Sequence, residues 1–433
     1  MRILIAHSFY RQPAGEDRYV AQQTALLAQA HAVRVEAREN AELDSGPLTA
    51  ARMIYNVGER RAIDRAISEF RPDVVHLHNP YPSLGPAVHL AAEKAGVPLV
   101  QTVHNFRLRC PNGLMYTEGA PCQRCVDGRY DNAIRHECFP SRKQAAAYAS
   151  ALWVHRFGLR LEDKVASYIA PSRFVQRRLI EWGFPSDRVA LVRNFTTPPD
   201  QVAPIGDQGL YLGRLSGEKG VDVLLRALVQ LGDPPFEIAG DGPEASRLRA
   251  LANTLRLRRV RFVGLLPITE VPRAIERARY VVFPSTWDEN APLAALEAMG
   301  RARPIVASTA GGLPELAKDG RGRLCPPGDA DALAEAIAGY ADESLARADG
   351  ARARRFVLDA CSPEVHLRRL LKVYEGTAAV DVAGRSLVAT PSGRGYAAGV
   401  PDPPAEEGGA PPREVQGGWD DPHISTDDGL GGT

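Results

Sequence analysis

The sequence predicts an α/β protein built from two doubly wound units in tandem, and three observations carry that reading. Short apolar runs alternate with segments of helical periodicity. The alternation stops at a Pro-rich interval and then starts again. Near the C-terminus the apolar residues give way to Gly, Pro, Asp and Glu. Strands that alternate with helices form parallel sheets covered on both faces, and such strands read as nearly unbroken apolar runs.

In the first unit the strand candidates are Arg2 to Ala6, Val33 to Ala37, Asp73 to His78, Val97 to Val103 and Ser167 to Ala170, with helical patterns from Val20 to Gln29 and from Glu59 to Phe70. The interval Thr196-Thr-Pro-Pro-Asp200, followed by Pro204, reads as a linker. Beyond it Gly209 to Leu212, Phe236 to Ala239, Val260 to Val263, Tyr280 to Phe283 and Pro304 to Ala307 are strands, with helices at about 219–231, 243–256 and 292–300. The chain is therefore divided into a first domain, 1–195, with a Cys-rich insertion at about 105–140, and a second domain, 205–360. A terminal helix at 361–376, centred on Pro363 to Tyr374, is expected to cross back to the first domain. The tail, 380–433, is too poor in apolar residues to offset its ordering entropy and is expected to be disordered.

With 433 residues, 44% of them hydrophobic, the chain is long enough for two cores. Its 53 Lys and Arg against 52 Asp and Glu leave a net charge of +1, so no overall field draws it to nucleic acid, which is excluded as a partner. The opening MRILIAHSFYRQ has an apolar run too short for a secretory signal. No apolar run reaches the roughly 18 residues a spanning helix needs. The expected location is the cytoplasm, where clustered cysteines bind metal before they form disulfides. Cys110, Cys122, Cys125 and Cys138 follow C-x11-C-x2-C-x12-C in a loop of little periodicity, with His136 as a spare ligand. Four thiolates suit a closed structural zinc site, and free thiols are the alternative. Cys325 and Cys361 read as ordinary buried thiols.

The candidate chemistry lies in three loops of the second domain, each at the carboxyl end of a strand, where open parallel sheets bind ligands. The loop Leu212 to Gly220 carries Gly213, Arg214 and Lys219. Glycines there let backbone amides approach a diphosphate, with Arg as a bidentate grip and Lys as a point charge. The second loop is Gly240-Asp241-Gly242-Pro243. The third holds Glu289 and Glu297, seven residues apart in the sense that seven lie between them. Pro292 suits the first position of a helix, so Glu289 precedes that helix and Glu297 lies in it. Helical side chains lean toward the N-terminus, so both carboxylates border one volume. Asn290 and Ala291 can offer amides to it. Taken singly, these are a solvated turn and a surface helix with two solvated acids. No Asp-x-Asp metal triplet lies near the loops, so catalysis is expected to need no cofactor.

Taken together, the motifs GR(x)nKG, GDGP, E(x)7E and GGLPE, in that order, resemble those of the family 4 glycosyltransferases, over roughly residues 1–375. The resemblance implies the GT-B fold, two Rossmann-like domains facing a central cleft. It implies transfer of a sugar from a nucleotide diphosphate sugar, UDP or GDP, to a hydroxyl of a glycan or lipid-linked acceptor, with retention, in cell-surface polysaccharide or glycoconjugate synthesis. It assigns Glu289 to the donor sugar, Glu297 to the ribose, and Arg214 and Lys219 to the diphosphate, with Gly213, Gly240, Asp241, Gly242, Asn290 and Ala291 completing the donor site. Gly311 and Gly312 are expected to serve close backbone packing.

On the acceptor side, Pro13-Ala14-Gly15-Glu16-Asp17 resembles the family's glycine loop, with Ala14 where the first glycine of a pair is usual, which leaves the loop geometry open. Gly15 and Glu16 are its candidates. His104, in Thr102-Val103-His104-Asn105, fits the histidine that the family places near the reacting sugar; a hydrogen-bonded structural histidine is the alternative. His76 and His78 are read as alternating on one strand, one facing each side, and as structural. From Ser141 to Lys164, Tyr148, Leu152, His155 and Leu159 share a helical stripe beside Arg142, Lys143, Arg156 and Arg160. This segment either rests on an anionic membrane surface, at a lipid-linked acceptor, or faces the core with solvated cations. The competing functions are a nucleotide-sugar binding module without turnover, and an epimerase or phosphorylase of the same fold.

Overall fold

The computed structural model describes residues 1–10, 15–39 and 47–378. The chain divides into the unit Met1–Val388, which holds all the structure described below, and the unit Ala389–Thr433. The tail expected at 380–433, and Pro13 and Ala14 of the glycine loop, lie outside the described residues.

The first sheet has six parallel strands: β1 (Arg2–Phe9), β2 (Ala32–Glu39), β3 (Val74–Leu77), β4 (Leu99–Thr102), and, after a short ribbon of β5 (Tyr116–Thr117) and β6 (Ala120–Pro121), β7 (Ser167–Ala170) and β8 (Val189–Leu191). Their order across the sheet is β2-β1-β3-β4-β7-β8. The second sheet, also parallel, consists of β9 (Gln208–Leu212), β10 (Phe236–Ala239), β11 (Val260–Gly264), β12 (Ala278–Phe283), β13 (Ile305–Ser308) and β14 (Gly322–Cys325), in the order β11-β10-β9-β12-β13-β14.

Side chains alternate along a strand, so a sheet covered on both faces needs apolar residues at every position. Along β1, Leu4 and Ala6 enter one core, and Ile3 and Ile5 enter the core on the opposite face. Along β12, Tyr280 and Val282 face one core while Val281 and Phe283 face the other. Each such Leu, Ile, Val or Phe side chain contributes about 1.5–3 kcal/mol by leaving water. The terminal helix Pro363–Ala378 contributes Leu370 and Tyr374 to the core beneath β1, so the end of the second half is anchored in the first.

Three local expectations change. β8 and β14 are edge strands too short and mixed to stand out in the sequence. The helical stretch expected at 219–231 is a short 3-10 turn, Gly217–Lys219, and then the helix Val221–Gln230, separated by Gly220 in left-handed conformation. Pro292 sits just before the helix Leu293–Gly300 with ψ of 123°, so it caps the helix instead of starting it.

Both sheets reverse direction of winding once. In the first the reversal lies between β1 and β3, and in the second between β9 and β12. Loops leaving neighbouring strands at such a point diverge and leave a crevice. The loops after β9 and β12 are those that carry Arg214, Lys219 and Glu289.

Candidate functional site

The carboxyl end of β9 is shaped by backbone contacts that admit only glycine. Gly213 donates its N–H to Ala239 O at 3.1 Å. A Cβ on Gly240, whose φ is +148°, would lie 1.8 Å from Gly213 O. The two glycine loops are thus pressed together with their amides at the rim. Arg214 and Asp241 expose their side chains there, and Asp241 uses Oδ1 to accept the N–H of Gly242 at 2.8 Å. Lys219 reaches across the crevice from the β9 loop to the β12 loop, where its Nζ donates to Glu289 Oε1 at 2.7 Å and lies 4.9 Å above the Trp287 ring.

Glu289 is 6% exposed and is held from several sides. Ser285 Oγ donates to the same Oε1 at 2.6 Å, and Ser308 Oγ fixes Ser285 by donating to its carbonyl. Gly312 N–H donates to Glu289 O at 2.7 Å, and a Cβ on Gly311, at φ +62°, would lie 2.3 Å from that oxygen. Gly311 and Gly312 therefore do serve close packing, and what they pack against is the backbone of the glutamate loop. The bonds of Lys219 and Ser285 occupy one carboxylate oxygen of Glu289 and leave Oε2 outside them.

Asn290 links this loop to the first half. Its Nδ2 donates to the His104 carbonyl at 2.6 Å, and the carbonyl of Ala291 accepts Asn194 Nδ2 at 2.9 Å. Glu297 also faces the first half: its Oε1 forms a short ion pair with Arg18, and its Oε2 is buried without a partner. The two glutamates of the E(x)7E element thus stand in different company, Glu289 with a cation of its own half and Glu297 with one from the other. Glu315, in GGLPE, accepts the amides of Arg173 and Phe174 at 3.0 and 2.6 Å and caps the helix Arg173–Glu181 of the first half. A carboxylate there also meets the positive end of that helix.

Opposite lies a group of buried histidines. His104 Nε2 is 2.9 Å from His78 Nδ1, and burial holds both rings well below the usual histidine range, so both are neutral at neutral pH. His76 bonds Tyr374 and Thr102 at 2.6 and 2.7 Å. The rings of His76 and His78 are 4.2 Å apart. They face the same side, not opposite sides, because residues two apart on a strand share a face. Glu16 accepts from the Tyr10 hydroxyl at 2.9 Å, and Tyr10 accepts from Asn105 at 3.3 Å, so Glu16 connects to the histidine loop while Gly15 is exposed.

The four cysteines of the insertion are free and line one cavity with His136. Burial, and then the neighbouring Cys110, Cys122 and Cys138, push the Cys125 thiol up to about 12. Among the described residues, however, no group of three or more His, Cys, Asp or Glu side chains is arranged to hold a metal ion. The stripe at 141–164 turns inward: Leu152 and His155 are buried, and His155 bonds Ile54 O and the Tyr81 hydroxyl at 2.9 and 2.6 Å. The exposed apolar residues of this segment are instead Trp153 and Phe157. Among the described residues no helix is long and apolar enough to cross a membrane.

Residues 5–194 match the glycosyl transferase 4-like domain, and residues 207–343 match the glycosyl transferases group 1. The chain belongs to this family of glycosyl transferases. It is similar to a glycogen synthase of Mycobacterium tuberculosis, at 31% identity over 294 residues, 66% of this chain and 64% of the relative. It is also similar to the putative teichuronic acid biosynthesis glycosyltransferase TuaC of Bacillus subtilis, at 28% identity over 279 residues, 63% and 62% of the two chains. The chain spans a little under two thirds of the length of these relatives. Among solved structures, sucrose-phosphate synthase from Thermosynechococcus elongatus superposes with a TM-score of 0.65 at 20% identity, covering 87% of this chain and 98% of the other. HepE of Anabaena, solved in complex with UDP and glucose, superposes with a TM-score of 0.63 at 19% identity, covering 87% and 100%. These likenesses establish the GT-B arrangement of two facing α/β halves.

Within this glycosyl transferase, sequence reasoning missed Arg18, Ser285, Trp287 and Glu315 as parts of the site. Ser285, a short polar residue directly after the strand that leads to Glu289, carried a weak signal. Arg18 carried none, because its partner is 279 residues away.

Proposed function

We propose that the protein transfers a glycosyl group from a nucleotide diphosphate sugar, UDP or GDP, to a hydroxyl of a glycan or lipid-linked acceptor with retention, in the synthesis of a cell-surface polysaccharide or glycoconjugate. The observation that carries this reading is the Lys219–Glu289 pair, 2.7 Å apart at the switch point of the second sheet and joined through Asn290 to the His104 loop. Rupture of the anomeric C–O bond builds positive charge on the sugar and negative charge on the departing diphosphate. Cations and amides fixed before the reaction lower that barrier. Lys219 and the exposed Arg214 serve the diphosphate, together with the amides around Gly213, Gly240 and Gly242, and Glu289 turns its spare oxygen to the sugar. Neutral His104 acts as a hydrogen-bonding group toward the donor sugar or the leaving oxygen. Glu297, once released from Arg18, takes the ribose hydroxyls. The UDP and glucose in the HepE complex and the polymer named for TuaC support the donor and product classes.

In this reading 205–360 is the donor domain, and 1–195, with Gly15 and Glu16, the acceptor domain, closed by the helix at 361–376. The protein works in the cytoplasm, at the membrane's inner face. Contact there runs through Trp153 and Phe157, 54% and 46% exposed with rings 5.8 Å apart, and sedimentation with anionic vesicles tests it by the loss of binding on Trp153→Ala. A structural zinc on Cys110, Cys122, Cys125 and Cys138 rests on their shared cavity, and metal analysis of the purified protein tests it. The transferase reading is tested by nucleotide release from UDP-, GDP- and ADP-sugars with a lipid extract as acceptor. Release from one donor, abolished by Glu289→Ala and Lys219→Ala, is the expected result. Donor binding with no release under any acceptor contradicts it.

A further inference from the structure

Beneath the His104 loop the first half holds a cavity of about 50 Å³, room for a small polar group. It is lined by His78, Asn79, His104 and Asn105, at the carboxyl ends of β3 and β4, and by Tyr81, His155, Glu162 and Tyr168. The His104 carbonyl accepts Asn290, so one wall of the cavity adjoins the glutamate loop of the second half.

Three arginines stand around this cavity and its wall, and they differ in what neutralises them. Arg109 is held by both oxygens of Glu162, one of them at 3.0 Å, and also donates to Trp182 O. Arg156 lies 3.9 Å from the same Glu162 and donates to Val126 O and the Tyr130 hydroxyl at 2.8 and 3.2 Å. Arg107 has no carboxylate partner. Its guanidinium sits 5.6 Å from the Tyr81 ring centre and 5.2 Å from that of Tyr148, and it bonds the Tyr148 side chain and, at 3.5 Å, Asn112 O. Its Nε is buried without a partner. Among the described residues no carboxylate lies within ion-pair distance of it. Glu16 feels its charge, but burial pushes that carboxyl up and its bond goes to Tyr10.

Arg107 is half-buried, and a guanidinium with no carboxylate in ion-pair range keeps its charge for an anion that reaches it. Tyrosine faces on either side suit a guanidinium and also the flat apolar surface of a sugar. We propose that this cavity receives the acidic group of the acceptor and that Arg107 binds its oxyanion, a carboxylate or a phosphate group. This rests on the transferase reading, in which the acceptor approaches from the first half. It adds that the acceptor is acidic, so the reaction that supplies it must leave a sugar acid or a phosphorylated carrier.

The test is a calorimetric titration of the whole protein with glucuronate, glucose and inorganic phosphate, with UDP and GDP as separate titrants, on wild type, Arg107→Gln and Arg107→Lys. The proposal predicts that wild type binds glucuronate or phosphate and not glucose. It predicts that Arg107→Gln weakens the anion roughly tenfold or more, the worth of a charged hydrogen bond, and that Arg107→Lys weakens it less. Preference for glucuronate names a sugar acid, and preference for phosphate names a phosphorylated acceptor. Equal binding of glucose and glucuronate by wild type overturns the proposal without recourse to any variant, as does absence of anion binding or an unchanged affinity in Arg107→Gln. UDP and GDP report separately: if wild type binds neither, the donor reading fails, whatever the anions do.

Discussion

Around the switch point of the second sheet the site is made of backbone pressed on backbone, whereas around that of the first it is made of side chains drawn from distant parts of the chain. Gly240 and Gly311 stand where any Cβ would strike a carbonyl oxygen, and the ionic residues Lys219 and Glu289 are set on loops so constrained. In the first half, by contrast, His78 meets His104, Tyr19 meets His366, and Arg107 lies among Tyr81 and Tyr148. A fold repeated in one chain has thus produced one face fixed by local geometry and another fixed by long-range packing.

The difference can be broken most severely at Gly240. Gly240→Ala should cost roughly 3 kcal/mol or more, since the methyl group would displace Gly213, and urea denaturation measures it. Gly232→Ala, at φ +73° but with nothing within 4 Å, should cost only about 1 kcal/mol. Equal losses would show that backbone conformation, and not the contact, governs these glycine loops.

Next in size is Glu289→Gln. Nucleotide release should fall about 10²- to 10³-fold, with thermal stability nearly unchanged, because the loop is held by Gly312 and Asn290 and not by the charge. A large loss of melting temperature would mean that the glutamate is structural.

The first half should reveal itself through pH. Burial lowers His76 to about 3 and His366 to about 4, so both stay neutral in the folded protein while the unfolded chain takes up protons near pH 6.5. The unfolded state then binds more protons than the folded one, and stability falls as pH drops from about 6.5 toward 4. Removing one such group, in His366→Gln, should flatten the dependence by up to about 1.4 kcal/mol per pH unit in that window, seen in denaturation curves at a series of pH values. An unchanged slope would mean that His366 titrates normally.

The smallest effect expected is at the ion pair that joins the halves. Arg18→Ala should free Glu297 and lower the donor KM roughly threefold, while Glu297→Ala raises it. Opposite signs sharpen the account, and a rise in both would assign the pair to holding the halves together.

The same contrast explains what the sequence disclosed. Unbroken apolar runs such as Ile3 to Ala6 and Tyr280 to Phe283 are legible because both faces of their strands are buried. GDGP and GGLPE are legible because close backbone contacts dictate glycine. Edge strand β8 has one covered side and gave no pattern. Arg18, Arg107 and the inward turn of His155 depend on partners tens to hundreds of residues away, and no spacing within the chain encodes them. The side assigned to His78 was misread although the period of a strand contains the answer, since residues two apart share a face.

The most direct test of the division between the halves is a calorimetric titration of UDP and GDP into wild type, Lys219→Ala and His104→Ala. The account predicts that one nucleotide diphosphate binds wild type, that Lys219→Ala weakens it roughly tenfold or more, and that His104→Ala weakens it far less. Loss of binding in His104→Ala with full affinity in Lys219→Ala would contradict it.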